Sequence, residues 1–342
     1  MFLLGYDLGS SSVKAALVDA DTGRTIGQAQ YPDTEMAILA PFPDQAEQHP
    51  ADWWAAVGQV TRRLLAVTDV PPDQIAGIGI AYQMHGLVLV DAAGEVLRPS
   101  IIWCDSRAVG LGEQAFSALG DQYCLDHLLQ SPGNFTASKL RWVREHEPPI
   151  FQKIHKFLLP GDYIAYRMTG EMTTTITGLS EGICWDFEGH CPADKLLGYY
   201  EIPEGLLADR VPVFGPQGKL TAAAAAQLGL ASGTPVAYRA GDQPNNALSL
   251  NVLRPGDVAA TGGTSGVVYA VTDGPRPDPQ QRYNSFAHVN YSPEAPWTGA
   301  LLCINGAGSQ YRWLRQLLSG PGLTTPSRLT GNEPGDTRQT SG

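Results

Sequence analysis

Two runs at the start of the chain, Phe2 to Tyr6 and Val13 to Asp19, are separated by a stretch too short to hold a helix, Asp7-Leu8-Gly9-Ser10-Ser11-Ser12. A third run, Arg24 to Gln30, follows the turn Asp21-Thr22-Gly23. Apolar runs broken by glycine and hydroxyl residues read as an antiparallel meander. A dinucleotide-binding βαβ unit would instead place a helix directly after its glycine turn, so this opening argues against a Rossmann fold. A Walker loop is absent, and Gly9 stands where a haloacid dehalogenase needs a second Asp.

Further along, Pro50 to Val67 reads as a helix with Pro50 in its first turn and an apolar stripe through Trp53, Trp54, Val57, Val60, Leu64 and Leu65. The β-branched run Ile75 to Ala81 ends at Tyr82-Gln83-Met84-His85-Gly86. Leu87 to Val90 and Ser100 to Trp103 read as strands, and Ala108 to Leu119, Thr136 to Glu145 and Pro160 to Met168 as helices. A second strand-rich block opens near Pro235. Within it, Asp257 to Thr261 and Val267 to Val271 flank Gly262-Gly263-Thr264-Ser265-Gly266, an echo of the first hairpin. Two such hairpins can grip a polyphosphate from opposite sides of a cleft.

The expected organisation is α/β, with a first domain over residues 1–234 and part of a second over 235–318, which includes a Tyr311 to Leu318 helix. Residues 319–342 contain only Leu323 and Leu329 as apolar residues against eight glycines and prolines. Such a segment buries too little surface to offset its ordering entropy and is expected to be disordered.

A net charge of −11 argues against nucleic acid or an anionic membrane as partner. It leaves room for a phosphate ligand, which backbone N–H groups and one or two local cations can hold. Neither a signal peptide nor a bilayer-length apolar segment is recognisable. The five cysteines have no metal spacing and read as reduced thiols, which makes the cytoplasm the expected location.

Three clusters carry candidate chemistry. In the first, Ser10, Ser11, Ser12 and their backbone can donate to phosphate oxygens. Lys14 can neutralise charge there, and Asp7 can position Mg²⁺ through water; the plainer reading is a serine-rich turn capped by an aspartate. In the second, His85 can hydrogen-bond a sugar hydroxyl while Met84 packs on its carbon face. Trp103-Cys104-Asp105-Ser106-Arg107 supplies an aromatic plane with polar tips, or, more plainly, a buried tryptophan beside a surface Asp–Arg pair. The third is Gly241-Asp242-Gln243-Pro244-Asn245-Asn246. Pro244 suits a first helical turn and makes Asp242 or Gln243 the cap. A strand-end aspartate facing a cleft is also what accepts a hydroxyl proton in a kinase.

Taken in order, these segments, with Leu159-Pro160-Gly161-Asp162-Tyr163, resemble the FGGY carbohydrate kinases, most closely the members acting on D-xylulose. The resemblance runs to about Leu318. It implies an actin-like ATPase (ribonuclease-H-like) fold, a complete first domain and a partial second. It implies Mg²⁺- and ATP-dependent phosphorylation of D-xylulose to D-xylulose 5-phosphate, a homodimer remaining an open option. By resemblance Asp242 is the catalytic base; Met84, His85, Trp103 and Gln243 are sugar contacts. Asp7, Ser10, Ser11, Ser12 and Lys14 form the first phosphate loop, and Gly263, Thr264 and Ser265 the second.

The chain departs from the family pattern at Cys104 and Gln243, where asparagine is usual, and these changes bear on the choice of sugar. The family's glycine-rich adenosine motif is not found, so a C-terminal truncation is expected. Two alternatives follow: an impaired fragment that still binds sugar, or a kinase for another pentulose or gluconate.

Overall fold

The computed structural model describes residues 1–262, 266–304 and 306–318. Strands β1 (Phe2–Leu8), β2 (Val13–Asp19) and β3 (Thr25–Tyr31) form the meander expected from the opening turns. Helix α1 (Pro50–Thr68) follows, then β4 (Ile75–Tyr82). Helices α2 (Thr136–His146), α3 (Pro160–Thr169) and α4 (Ile176–Glu181) lead to β5 (Val236–Gly241) and α5 (Asp242–Ser249). The chain then runs through β6 (Val258–Gly262), β7 (Gly266–Thr272), β8 (Asn284–Ala287), β9 (Thr298–Ile304) and α6 (Ala307–Leu318).

The first sheet has the order β5-β4-β1-β2-β3. β1, β4 and β5 are mutually parallel, whereas β2 and β3 run antiparallel to their neighbours. Val236–Gly241, placed at the head of the second unit on sequence grounds, is thus the last strand of the first sheet. Composition alone could not show this, because the pairing of β5 with β4 spans about 160 residues of intervening chain.

Period-2 alternation divides this sheet into two faces. Leu4, Tyr6, Leu8, Val13, Ala15 and Leu17 are buried and share a core with Trp53, Val57, Val60 and Leu64 of α1. Each of the leucines and valines among them contributes roughly 1.5–3 kcal/mol on full burial. The Thr61 hydroxyl donates to the Val57 carbonyl at 2.6 Å, so the Tyr6 hydroxyl donates in turn to Thr61 at 2.7 Å. Asp7 and Lys14 fall on the opposite, open face.

The second sheet has the order β6-β7-β9-β8 and is antiparallel throughout. Tyr269, Val271, Phe286 and Leu301 join a core with Leu140 of α2 and Leu179 of α4. Ser180 fixes the contact, its hydroxyl accepting from the Ala287 N–H at 2.8 Å. The expected hairpin is present as β6 and β7, but Gly263, Thr264 and Ser265 lie outside the described residues, as does the 319–342 segment. No described helix is long and apolar enough to cross a membrane.

Candidate active site

Three parallel strands end side by side, and each carries one of the candidate clusters at or just past its end. Asp7 on β1 and Ala240 on β5 both pair with Ala81 of β4, from opposite sides. Their Cα atoms are therefore roughly 10 Å apart at ordinary strand spacing. Met84 and His85 follow β4, and Asp242 follows β5. The carboxyl ends of parallel strands are where open α/β sheets bind ligands.

Asp7 and Lys14 face each other in the β1–β2 ladder and form an ion pair of 3.1 Å. With Tyr238 and Asn245 they line a cleft of about 710 Å³. The Gly9–Ser12 turn is closed by the Gly9 N–H donating to the Ser12 carbonyl at 3.1 Å. It is held from outside by Gln48, whose amide donates to the Ser10 carbonyl at 2.7 Å, and by the Met36 N–H donating to the Ser11 carbonyl at 2.7 Å. Ser10 and Ser11 reach the surface, whereas Ser12 is buried.

His85 occupies a left-handed backbone conformation, φ 61°. Its ring lies 4.7 Å from that of Phe135 and 5.3 Å from that of Phe286. Nδ1 sits 2.9 Å from the main-chain oxygen of Glu181, which can only accept, so Nδ1 carries the proton and Nε2 is left as an acceptor. Burial, followed by the charge of Lys139, pushes the imidazole down to about 3, so it is neutral. The neutral ring suits a sugar hydroxyl as donor to it. Met84 is buried behind it, and a Cβ built on Gly241 would fall 2.5 Å from Met84 Cγ.

Asp242 is the first residue of α5, with Gly241 at the cap position. The expectation that Asp242 or Gln243 caps the helix through its side chain is therefore corrected: no side-chain cap bond forms there. Pro244 is the third residue of α5, within the first turn, where its missing N–H costs nothing. Burial, then the nearby charge of Asp7, raises the Asp242 carboxyl to about 6. Gln243 pulls the other way, hydrogen-bonding that carboxylate from its main chain and its side chain. Gln243 is thus engaged with Asp242.

The Trp103–Arg107 segment inverts its plainer sequence reading. Trp103 is 51% exposed, and its indole N–H donates to Ser10 Oγ at 3.3 Å, linking the second cluster to the first. Asp105 and Arg107 are instead the buried pair, 2.7 Å apart. Arg107 also meets Glu47 at 2.7 Å and lies over the Trp142 ring at 4.7 Å. A buried guanidinium needs this many partners to offset its lost hydration.

Two residues with no motif complete the site. Glu181 is buried, accepts from the His85 N–H at 3.4 Å, and is held well above the usual carboxylate range, first by burial. Its Oε2 lies 2.5 Å from where a Gly241 Cβ would stand. Lys139 is fully buried and donates to the carbonyls of His85 at 2.8 Å and Ile102 at 3.0 Å. Burial pushes its amine down to about 7, opposed by Asp105. A signal for Lys139 existed: it falls beside Leu140 and four places before Val143, on the apolar stripe of α2.

Among the described residues no group of three or more His, Cys, Asp or Glu side chains forms a metal cage. Asp7, partly exposed at the cleft, still fits a hard cation that keeps water and phosphate ligands.

The family model for the FGGY family of carbohydrate kinases, N-terminal domain, matches residues 2–249, ending on the last residue of α5. The xylulose kinase of Escherichia coli strain K12 is 32% identical over 291 residues, 84% of this chain and 57% of that protein. The crystal structure of xylulose kinase from Rhodospirillum rubrum superposes with a TM-score of 0.83 at 28% identity, over 93% of this chain and 63% of that one. Gluconate kinase from Lactobacillus acidophilus superposes with a TM-score of 0.84 at 22% identity, over 94% and 63%, a likeness of fold alone. The fold is that of the actin-like ATPases, with the first domain and part of the second. The chain spans about 57% of the length of the curated relative.

Proposed function

Because the chain belongs to the FGGY family of carbohydrate kinases, we propose that it binds D-xylulose where β1, β4 and β5 end and transfers a phosphoryl group to it from ATP. The observation that carries this reading is the convergence of the Asp7–Lys14 pair, the Met84–His85 turn and Asp242 on three adjacent strand ends. The sugar's carbon face packs on Met84 and Trp103, and a hydroxyl donates to His85 Nε2. Asp242, ionised above about pH 6, accepts the proton of the attacking hydroxyl. A loose transition state asks this group mainly to orient the nucleophile. The Ser10–Ser12 turn and Lys14 hold phosphate oxygens, with Gly263, Thr264 and Ser265 proposed as the opposing grip. Bound Mg²⁺–ATP supplies the phosphoryl group and part of its counter-charge, and Asp7 is the residue that would hold the ion through water.

A second reading, sugar binding without turnover, is favoured by one observation. Val258, Val268, Leu302 and Ile304 of the second sheet are exposed, so the described residues supply no covering layer on that face of the sheet. The test is ADP formation by the 342-residue chain with D-xylulose, other pentuloses and gluconate, beside calorimetric binding of the same compounds. Turnover with D-xylulose supports the kinase reading. Heat of binding without ADP supports the second, turnover with another substrate alone corrects the sugar, and neither signal removes both.

A further inference from the structure

We propose that Lys139 is a positioning residue for sugar recognition, its side chain joining the His85 turn to the Ile102–Trp103 turn. The inference rests on the sugar-binding reading proposed above. Both turns carry proposed sugar contacts. Their segments meet where the Leu87 N–H donates to the Ile101 carbonyl at 2.9 Å, and Lys139 ties the carbonyls that lie beyond that bridge. Lys139 reaches both at once: its Nζ donates to the His85 carbonyl at 2.8 Å and to the Ile102 carbonyl at 3.0 Å.

The start of α2 reinforces the same junction. Thr136 Oγ1 donates to the Gly86 carbonyl at 3.4 Å, and the Asn134 amide donates to the Asp105 carbonyl. The main chain of the segment 85–86 and that of the segment 102–105 are thus both read by residues 134–139. Lysine suits the central position for a chemical reason. Its side chain is long, and its head offers at least two N–H donors in either protonation state, so it satisfies two inward-facing carbonyls at once. An apolar residue of equal length would fill the space and leave both carbonyls without this donor. His85 is in a left-handed conformation that a non-glycine residue holds only when its surroundings enforce it, so release of its carbonyl acts directly on the sugar contact.

The test uses the full chain carrying Lys139→Met, which keeps the volume, and Lys139→Gln, whose shorter side chain reaches one carbonyl at most. D-xylulose affinity is measured by calorimetry, and amide hydrogen exchange is followed over 84–86, 102–104, β1 and β4. Both variants are expected to weaken sugar binding at least tenfold and to speed exchange in both turns, with β1 and β4 unchanged. A folded variant that binds within twofold of the parent, or uniform loosening of the strands as well, overturns the proposal. The unaltered chain gives an independent readout: D-xylulose is expected to slow exchange at 84–86 and 102–104 together, and protection of one turn alone overturns the inference. A parent that binds no sugar at all overturns the reading of the site itself, a distinct outcome.

Discussion

Asp7 and Lys14 stand directly opposite one another in the β1–β2 ladder and are joined by a 3.1 Å ion pair on the open face of the first sheet. Their side chains are 41% and 57% exposed, so the pair contributes little to stability. Lys14→Ala is expected to change unfolding free energy by less than about 0.5 kcal/mol. The same variant should lower the rate of phosphoryl transfer by roughly 100-fold, because the cation meets charge that develops at the phosphate. Urea unfolding beside steady-state kinetics separates the two effects; an unchanged rate removes Lys14 from the phosphate site.

Asp242 should leave its mark on the pH profile. Its carboxyl is raised to about 6, and only the ionised form accepts a proton. kcat/KM for the sugar is expected to be level above that value and to fall about tenfold per pH unit below it. A profile that stays flat between pH 5 and pH 7 would contradict the base role.

The same burial predicts a trade between stability and activity. Between its ordinary pKa of 3.8 and about 6, the folded protein holds a proton on Asp242 that the unfolded chain has lost. Stability therefore falls as pH rises through that window, and the cost persists above it. Asp242→Asn is expected to abolish turnover and to stabilise the fold at pH 7 by about 1 kcal/mol, allowing for partial exposure. The gain should vanish by pH 3.8. Chemical denaturation at the two pH values checks this.

Gly241 is required by space. A Cβ there would lie 2.5 Å from both Glu181 Oε2 and Met84 Cγ. Gly241→Ala is expected to destabilise by about 1–3 kcal/mol through overpacking. It should also weaken sugar binding, since Met84 is one of the side chains displaced. Thermal melting and calorimetry report the two consequences; a variant with both unchanged would show that Glu181 and Met84 move aside freely.

His85 should contribute to acid sensitivity. Its imidazole is pushed down to about 3 in the folded protein from an ordinary 6.5, so between those values the unfolded chain binds a proton that the folded one refuses. Stability is then lost as pH falls from 6.5 toward 3. The urea midpoint of His85→Gln should decline less steeply than that of the parent over pH 6.5 to 4; parallel curves would deny the buried, neutral imidazole.

Much of the local structure is legible in the sequence. The meander of β1 to β3, the Pro50 helix and the strand ending before Met84 follow from periodicity and turn residues, which act over a few positions. The candidate clusters were legible as strand-end segments for the same reason. Glu181 and Lys139 lie in no recognisable motif, and only the place of Lys139 on the apolar stripe of α2 marks it. The Asp105–Arg107 pair was legible as a pair but not as a buried one, because burial depends on Glu47 and Trp142, which are distant in sequence.

What the sequence determined by itself is the set of local choices: where the chain turns, which face of β1 is apolar, and which residues with useful chemistry fall at strand ends. Tertiary structure alone decided that three of those ends lie side by side, that β5 closes the first sheet, and that His85 is held by Lys139 and Glu181. Those last contacts join residues 54 and 96 positions apart. Short-range pattern carries no record of such pairings, because they form only when packing of the whole core brings the segments together.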